Sequence, residues 1–304
     1  MRIGLFLDQS KSVFQGRLRQ VAEETAGRLG VTIEVVFAEG DSGSQHKQLF
    51  AFVRRDPRPD AFLVQPVETS GLRFVVREAR QKGLACVFIN RHPAFVEELR
   101  TEPGGLVFSV TPDNTGIGRI QGEQFRALLP QGGAVLCVTG PPSAASVIQR
   151  LDGAEKSKGP LISIIRIAAN WTRQGGEQAV ADWLNTTRGL VRFDMVGAQN
   201  DDMAIGARKA LDRLADGLQQ PQLRTMPVTG VDGLPDFGQR LVAEKQLTAT
   251  IVMPTTTGEA IELLVAALRD GRKPAAETRL PVTSHPQVSV LRGGMALAPL
   301  AAAF

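Results

Sequence analysis

The feature that most constrains this chain is a rhythm. Short apolar runs at residues 3–7, 31–37, 61–64, 84–89 and 106–110 are each followed by a polar corner. Between the first run and the fourth, the connecting segments carry apolar residues at helical spacing. In the first, Phe14, Leu18, Val21, Ala22 and Thr25 line one face, and Gly30 ends the helix. Helices are expected again at 44–54, closed by Pro57 and Pro59, and at 70–82, closed by Gly83. Uninterrupted apolar strands suit burial on both faces, and strands separated by helices pair in parallel. The rhythm therefore predicts an α/β fold with a doubly wound parallel sheet.

The same alternation restarts near Asn114. Helices are expected at 114–129, 144–156, 172–186, 201–214, 234–244 and 256–269. Strands are expected at 134–139, 161–168, 195–198, 227–231 and 247–252, with short ones at 280–283 and 288–291 ahead of a small-residue tail. A chain of 304 residues exceeds the size at which one core stops growing, so two domains are expected.

The corner at 195–206 organises this reading. Val196, Gly197 and Ala198 form the end of a covered strand, and Met203, Ile205 and Leu211 give the next helix an apolar side. Asp201 or Asp202 is expected to cap that helix. Asn200 and Asp201 then stand at the carboxyl end of a strand, where open α/β sheets take ligands. An amide beside a carboxylate suits a solute rich in hydroxyls, because each group fixes a hydrogen-bond direction. Polar residues recur after other strands: Gln65, then Asn90 with Arg91, then Asp232. Singly these are common turn and cap residues. Jointly, in both halves, they predict polar walls facing one another across an interdomain cleft.

Composition excludes several classes. The net charge is +4, and Lys and Arg are scattered singly, which argues against nucleic acid as a partner. No apolar run reaches the roughly 18 residues a membrane span needs. Cys86 and Cys137 each lie inside an apolar strand and are expected unbridged, in different domains. With three histidines and two lone cysteines no metal-ligand spacing exists, and neither metal nor cofactor is expected. A G-x-S-x-G elbow, a phosphate loop and an H-E-x-x-H pair are all missing, and Gly116-Ile117-Gly118 lacks the third glycine of a dinucleotide fingerprint. His92 reads as a solvated loop residue, so no enzyme is expected.

Specific segments resemble a known family. Residues 199–207, running from Gln199 through Asn200, Asp201 and Asp202 to Ala207, resemble the QNDEMALGA segment of type I periplasmic sugar-binding proteins. This is the superfamily of the ribose-binding proteins and of the ligand domains of the lactose repressor. Residues 229–233, 247–251 and 112–118 are similar to further segments of it, and the resemblance covers nearly the whole chain. It implies two α/β lobes joined by three crossover strands and closing on a small ligand: residues 1–110 with 254–279, and residues 111–253 with 280–304.

Carried over by position, the resemblance implies ligand contacts from Lys11, Phe14, Gln65, Asn90, Arg91, Trp171, Asn200, Asp232 and Met253. Phe14 and Trp171 would cover the CH face of a sugar ring, though Phe14 equally suits a helix core. Arg91 would offer forked donors, and Asp232 would accept from hydroxyls. Four positions depart from the family: Lys11 and Asn90 replace its Asn and Asp, and Ile148 and Met253 replace its Arg and Gln. The changes point to a sugar, polyol or derivative with an apolar or anionic part, with Lys11 and Arg91 as partners of the latter.

The resemblance implies a monomeric solute receptor that serves a membrane permease. The alternative is the sensing domain of a regulator or signalling receptor. A lactose-type repressor needs a DNA-binding headpiece before its first strand, and here that strand starts at once. A periplasmic location is expected if a leader has been removed ahead of Met1, and a cytoplasmic one otherwise.

Overall fold

A computed structural model describes residues 1–187, 191–217 and 220–293. The chain divides into two compact units, passing between them after Asp113, Met253 and Pro281. The small-residue tail from 294 on lies outside the described residues.

The first unit opens with β1 (Arg2–Leu7), α1 (Val13–Leu29), β2 (Thr32–Phe37), α2 (Ser42–Val53), β3 (Ala61–Val64), α3 (Leu72–Gln81), β4 (Ala85–Ile89), α4 (Phe95–Thr101) and β5 (Val107–Pro112). Every residue of β3, β4 and β5 is buried, as unbroken apolar runs in a covered parallel sheet require. Phe6 packs edge to face on Phe52 and Phe62, with ring centroids 5.4 and 6.3 Å apart, and anchors one side of the sheet. Ser12 caps α1 by accepting the Gln15 backbone N–H, and Gly30, at φ 63°, closes it. The short helix α4 was not expected from sequence; seven residues with two buried side chains, Val96 and Leu99, give too little periodicity to register.

The second unit continues with α5 (Asn114–Leu128), β6 (Gly133–Thr139), α6 (Ala145–Ser157), β7 (Ile162–Ala168), α7 (Arg173–Thr187), β8 (Met195–Ala198), α8 (Asp201–Gly217), α9 (Gln222–Thr225) and β9 (Val228–Thr229). The helix expected at 234–244 is a π-helical turn, Pro235–Gln239, running into α10 (Arg240–Ala243); β10 is Thr250–Val252. Helix pairs here touch backbone to backbone. A Cβ at Gly118 would sit 2.0 Å from the Arg150 carbonyl oxygen, and one at Gly153 would sit 2.4 Å from that of Thr115. Gly176 and Gly206 do the same for α7 against α8, at 2.6 Å from Met203 O and 2.1 Å from Arg173 O. Gly118 is thus a contact point between helices.

The returning segments are α11 (Thr256–Asp270), β11 (Glu277–Leu280), β12 (Thr283–His285) and α12 (Val288–Gly293). Strand β11 joins the first unit, whose sheet runs β11-β5-β4-β3-β1-β2 with all neighbours parallel. The second unit's sheet runs β7-β6-β8-β9, also parallel, with β10 and β12 forming an antiparallel pair. The strand expected at 280–283 is therefore two strands parted by Pro281, which cannot donate to a ladder. The strand expected at 288–291 is a helix. Val288 and Leu291, three residues apart, pack on the Phe125–Met195 core, while Val290 is exposed.

Candidate functional site

In the first unit the sheet reverses direction between β1 and β3, so the carboxyl ends of those strands flank its topological switch point. Gln65 follows β3 and Asp8 follows β1. The Asp8 and Gln9 backbone N–H groups both donate to Gln15 Oε1, at 2.6 and 3.2 Å. Gln15 stands three residues after the Ser12 cap, a capping-box position, and here its amide pins the loop to the strand end. The Gln65 Oε1 accepts from Asn90 Nδ2 at 2.9 Å, and Asn90 Oδ1 accepts from the Thr256 hydroxyl at 2.8 Å. Asn90 adopts the left-handed conformation, φ 62°, which Asn tolerates better than most residues.

The Arg91 guanidinium donates to the Val67 carbonyl. Burial holds it below its usual pKa, against the pull of Asp8 and Glu68. The Asp8 carboxyl is 6% exposed and pushed up by burial, with Arg91 opposing the shift. Its Oδ1 accepts no hydrogen bond among the described residues. His92 is tied by Nδ1 to the Ser109 hydroxyl, with Nε2 3.8 Å from Glu97, rather than solvated as expected. Phe14 is 7% exposed on α1, and Lys11 is exposed in the loop before it.

In the second unit the sheet reverses between β6 and β8. Asn200 follows β8, and its Oδ1 accepts the Met203 backbone N–H at 2.9 Å. Asn200, rather than Asp201 or Asp202, is therefore the side chain capping α8. Its Nδ2 donates to the Trp171 carbonyl at 2.8 Å, joining the corners after β7 and β8. Trp171 has φ 68°, and its ring covers Gly140, where a Cβ would lie 2.0 Å from a ring carbon. The Trp171 Nε1 is buried without a partner among the described residues.

Asp201 points away from the helix start and braces the next corner. Its Oδ2 accepts the Gly233 backbone N–H at 2.8 Å and its Oδ1 accepts the Thr250 hydroxyl at 2.7 Å. Complete burial pushes this carboxyl up to about 7, against those two hydrogen bonds. Asp232, at φ 111° and 7% exposed, is raised well above the usual range by burial, then by Asp201, with Arg150 opposing. The Met253 backbone N–H donates to the Asp232 carbonyl at 3.0 Å.

Arg150 is the residue that sequence reasoning passed over. It donates from Nε to Asn114 Oδ1 at 3.0 Å and from Nη1 to the Gln199 carbonyl at 2.6 Å, and Nη2 lies 3.5 Å from Met253 Sδ. Its guanidinium is 5.8 Å from the Trp171 ring centroid. The signal was present: Ser146, Val147, Arg150, Gly153 and Ala154 are the buried stripe of α6, and an arginine within such a stripe demands partners.

Each unit thus ends its sheet in amides, a carboxylate and an arginine, with an indole ring added in the second. Such groups direct hydrogen bonds and cover CH faces. Among the described residues no cluster of His, Cys, Asp or Glu could hold a metal ion. Cys86 and Cys137 are buried and free, with the Cys137 thiol pushed up to about 12, too high for a nucleophile.

Residues 3–273 match the family model described as periplasmic binding protein domain. The chain belongs to that family. It is similar to a putative rhizopine-binding protein of Rhizobium meliloti, 27% identical over 271 residues that cover 86% of this chain and 82% of that one. It is also similar to a galactofuranose-binding protein of Escherichia coli, 25% identical over 279 residues covering 90% and 84%. Among solved structures, the Caulobacter myo-inositol binding protein bound to myo-inositol superposes with a TM-score of 0.80 at 22% identity, covering 97% of each chain, a likeness of fold. In this periplasmic binding protein the residue before Arg91 is the amide Asn90, and the carboxylates that act on Arg91 are Asp8, after β1, and Glu68.

Proposed function

We propose that the protein binds a small, neutral, polyhydroxylated solute, a sugar or polyol, in the periplasm and delivers it to the membrane permease of an ABC-type transporter. The observation that carries this is the second unit's edge. Asp232, Arg150 and the Trp171 ring converge there at the carboxyl end of a parallel sheet, held by Asn200 and Asp201. A buried acceptor, a forked donor and an aromatic face match the hydroxyls and CH faces of such a solute.

The names of the relatives agree, since they are described as binding rhizopine, galactofuranose and xylitol. Lys11, Phe14, Gln65, Asn90 and Arg91 from the first unit, with Trp171, Asn200, Asp232 and Met253 from the second, are the proposed contacts. Asp8 offsets the charge of Arg91 in the first unit, which favours a neutral solute over the anionic one that Lys11 and Arg91 suggest from sequence alone. The protein acts without catalysis, as a monomer, and the paired amides serve to orient hydroxyls.

A thermal-shift screen against sugars, polyols, sugar acids and nucleosides tests this reading. A sugar or polyol at about 100 times its Kd adds about 2.7 kcal/mol of stability and raises Tm. A screen in which only nucleosides or sugar acids raise Tm, or nothing does, overturns it.

A further inference from the structure

We propose that Asp8 and Arg91 together read a vicinal diol of the solute, Asp8 Oδ1 accepting from one hydroxyl and Arg91 donating to the oxygen of its neighbour. This rests on the solute-binding reading above and extends it to Asp8, a residue of the first polar corner that is not among the contacts expected from sequence.

Four observations support it. Asp8 ends β1, directly across the sheet's reversal from β3 and Gln65. That is where open parallel sheets bind ligands. The loop is held rigidly, because Gln15 Oε1 accepts the backbone N–H groups of both Asp8 and Gln9. A rigid acceptor can select among hydroxyl positions as a mobile one cannot. Arg91 follows β4, and its Nη1 donates to Val67 O beyond the end of β3, the strand that pairs with β1; this fixes the guanidinium on the Asp8 side of the edge. Finally, Asp8 Oδ1 is shielded from solvent with no donor among the described residues.

A buried acceptor left unpaired is unfavourable, so an arriving hydroxyl recovers that cost as affinity. The neighbouring amides are differently disposed. Gln65 and Asn90 bond to one another, and Asn90 also bonds to Thr256. They set the shape of the edge, while the carboxylate oxygen keeps its capacity for a new donor. A carboxylate and a guanidinium at the same end of the sheet offer one acceptor and one set of donors. Two adjacent hydroxyls, one donating and one accepting, complement them.

Calorimetric titration of the full chain with D-ribose, D-galactose, xylitol and myo-inositol first selects the tightest of these four as probe. Wild-type protein and Asp8→Asn are then titrated with that probe and with its monodeoxy analogues. Asp8→Asn is near-isosteric; if its Tm without ligand shows it unfolded, Asp8→Ser takes its place. The expected result is a loss of at least about tenfold in affinity for the probe. One analogue then loses about tenfold with wild type and almost nothing further with the variant, since both changes remove the same hydrogen bond. A variant that binds the probe within about twofold of wild type overturns the proposal while leaving solute binding intact. Equal losses in both proteins for every analogue overturn it as well, because they show Asp8 acting only on the fold. If none of the four binds wild type, the sugar or polyol found by the thermal-shift screen serves as probe; if that screen finds none, the solute-binding reading falls, and the diol proposal falls with it.

Discussion

The Asp201 carboxylate accepts the backbone N–H of Gly233 at 2.8 Å, and so fixes the corner that carries Asp232. Asp232 sits there at φ 111°, a conformation that costs a non-glycine residue on the order of 1–3 kcal/mol and persists only where neighbours impose it. The other oxygen of Asp201 takes the Thr250 hydroxyl, linking the corner to β10. Space for this brace comes from Gly230 and Gly238, where a Cβ would lie 2.1 and 2.0 Å from the two carboxylate oxygens. An acid that the sequence places at a helix start thus supports the acid after the next strand.

Asp201→Ala leaves a buried N–H and a buried hydroxyl without their acceptor, and should destabilise the protein by about 2–4 kcal/mol in urea unfolding. Asp201→Asn keeps an oxygen for Gly233 and should lose much less. The pH dependence separates the two roles further. The folded carboxyl titrates near 7 against an ordinary value of 3.8, so the folded state holds its proton more tightly than the unfolded chain. Its contribution is complete below about pH 4 and is lost as pH rises through about 7. Wild-type stability should therefore decline across that window, and Asp201→Asn should show a flatter profile. A profile as steep in the variant as in wild type contradicts the account.

Arg150 is the counter-charge to this acidic corner, since it opposes the upward shift of Asp232. Arg150→Met should cost about 3–5 kcal/mol at pH 8, where buried carboxylates are left uncompensated. The loss should shrink near pH 5, as those carboxyls take up protons. Arg150→Lys keeps the charge but loses the fork that spans Asn114 and Gln199, and should fall between. Chemical denaturation of the three proteins at both pH values checks the order.

Much of the fold is legible in the sequence because buried parallel strands leave unbroken apolar runs; 61–64 and 85–89 are read correctly for that reason. The corner after β8 is legible because a polar run interrupts an apolar one. What side chains do inside a corner is less visible. A one-residue difference moves the cap from Asp201 to Asn200, since only the chain's actual turn decides which oxygen reaches Met203 N–H. Arg150 occupies a stripe position that periodicity shows, but its partners lie 36 and 49 residues away. Asp8 reads as an ordinary loop acid until its unpaired oxygen is seen. The 288–291 segment misled because four residues cannot distinguish alternation from a helical turn.

The glycines of α5 and α1 offer a matched comparison. Gly118→Ala places a methyl 2.0 Å from the Arg150 carbonyl and forces α5 and α6 apart, at a cost of about 1–3 kcal/mol or more. Gly16 on α1 has nothing within 4 Å of the added carbon, so Gly16→Ala should stabilise by about 0.5–1 kcal/mol through helix propensity. Thermal melts of the two variants should move in opposite directions. A shift in the same direction would falsify the helix-contact reading of Gly118.

The central proposal is that the protein binds a sugar or polyol and that Arg91 and Asp232 each contribute to its affinity. Its most direct test is calorimetric titration of a single bound sugar or polyol into wild type, Arg91→Ala and Asp232→Ala, with the two substitutions in different units. Each variant is predicted to bind about 2–4 kcal/mol more weakly while melting as a folded protein. Wild-type affinity in either variant contradicts the claim.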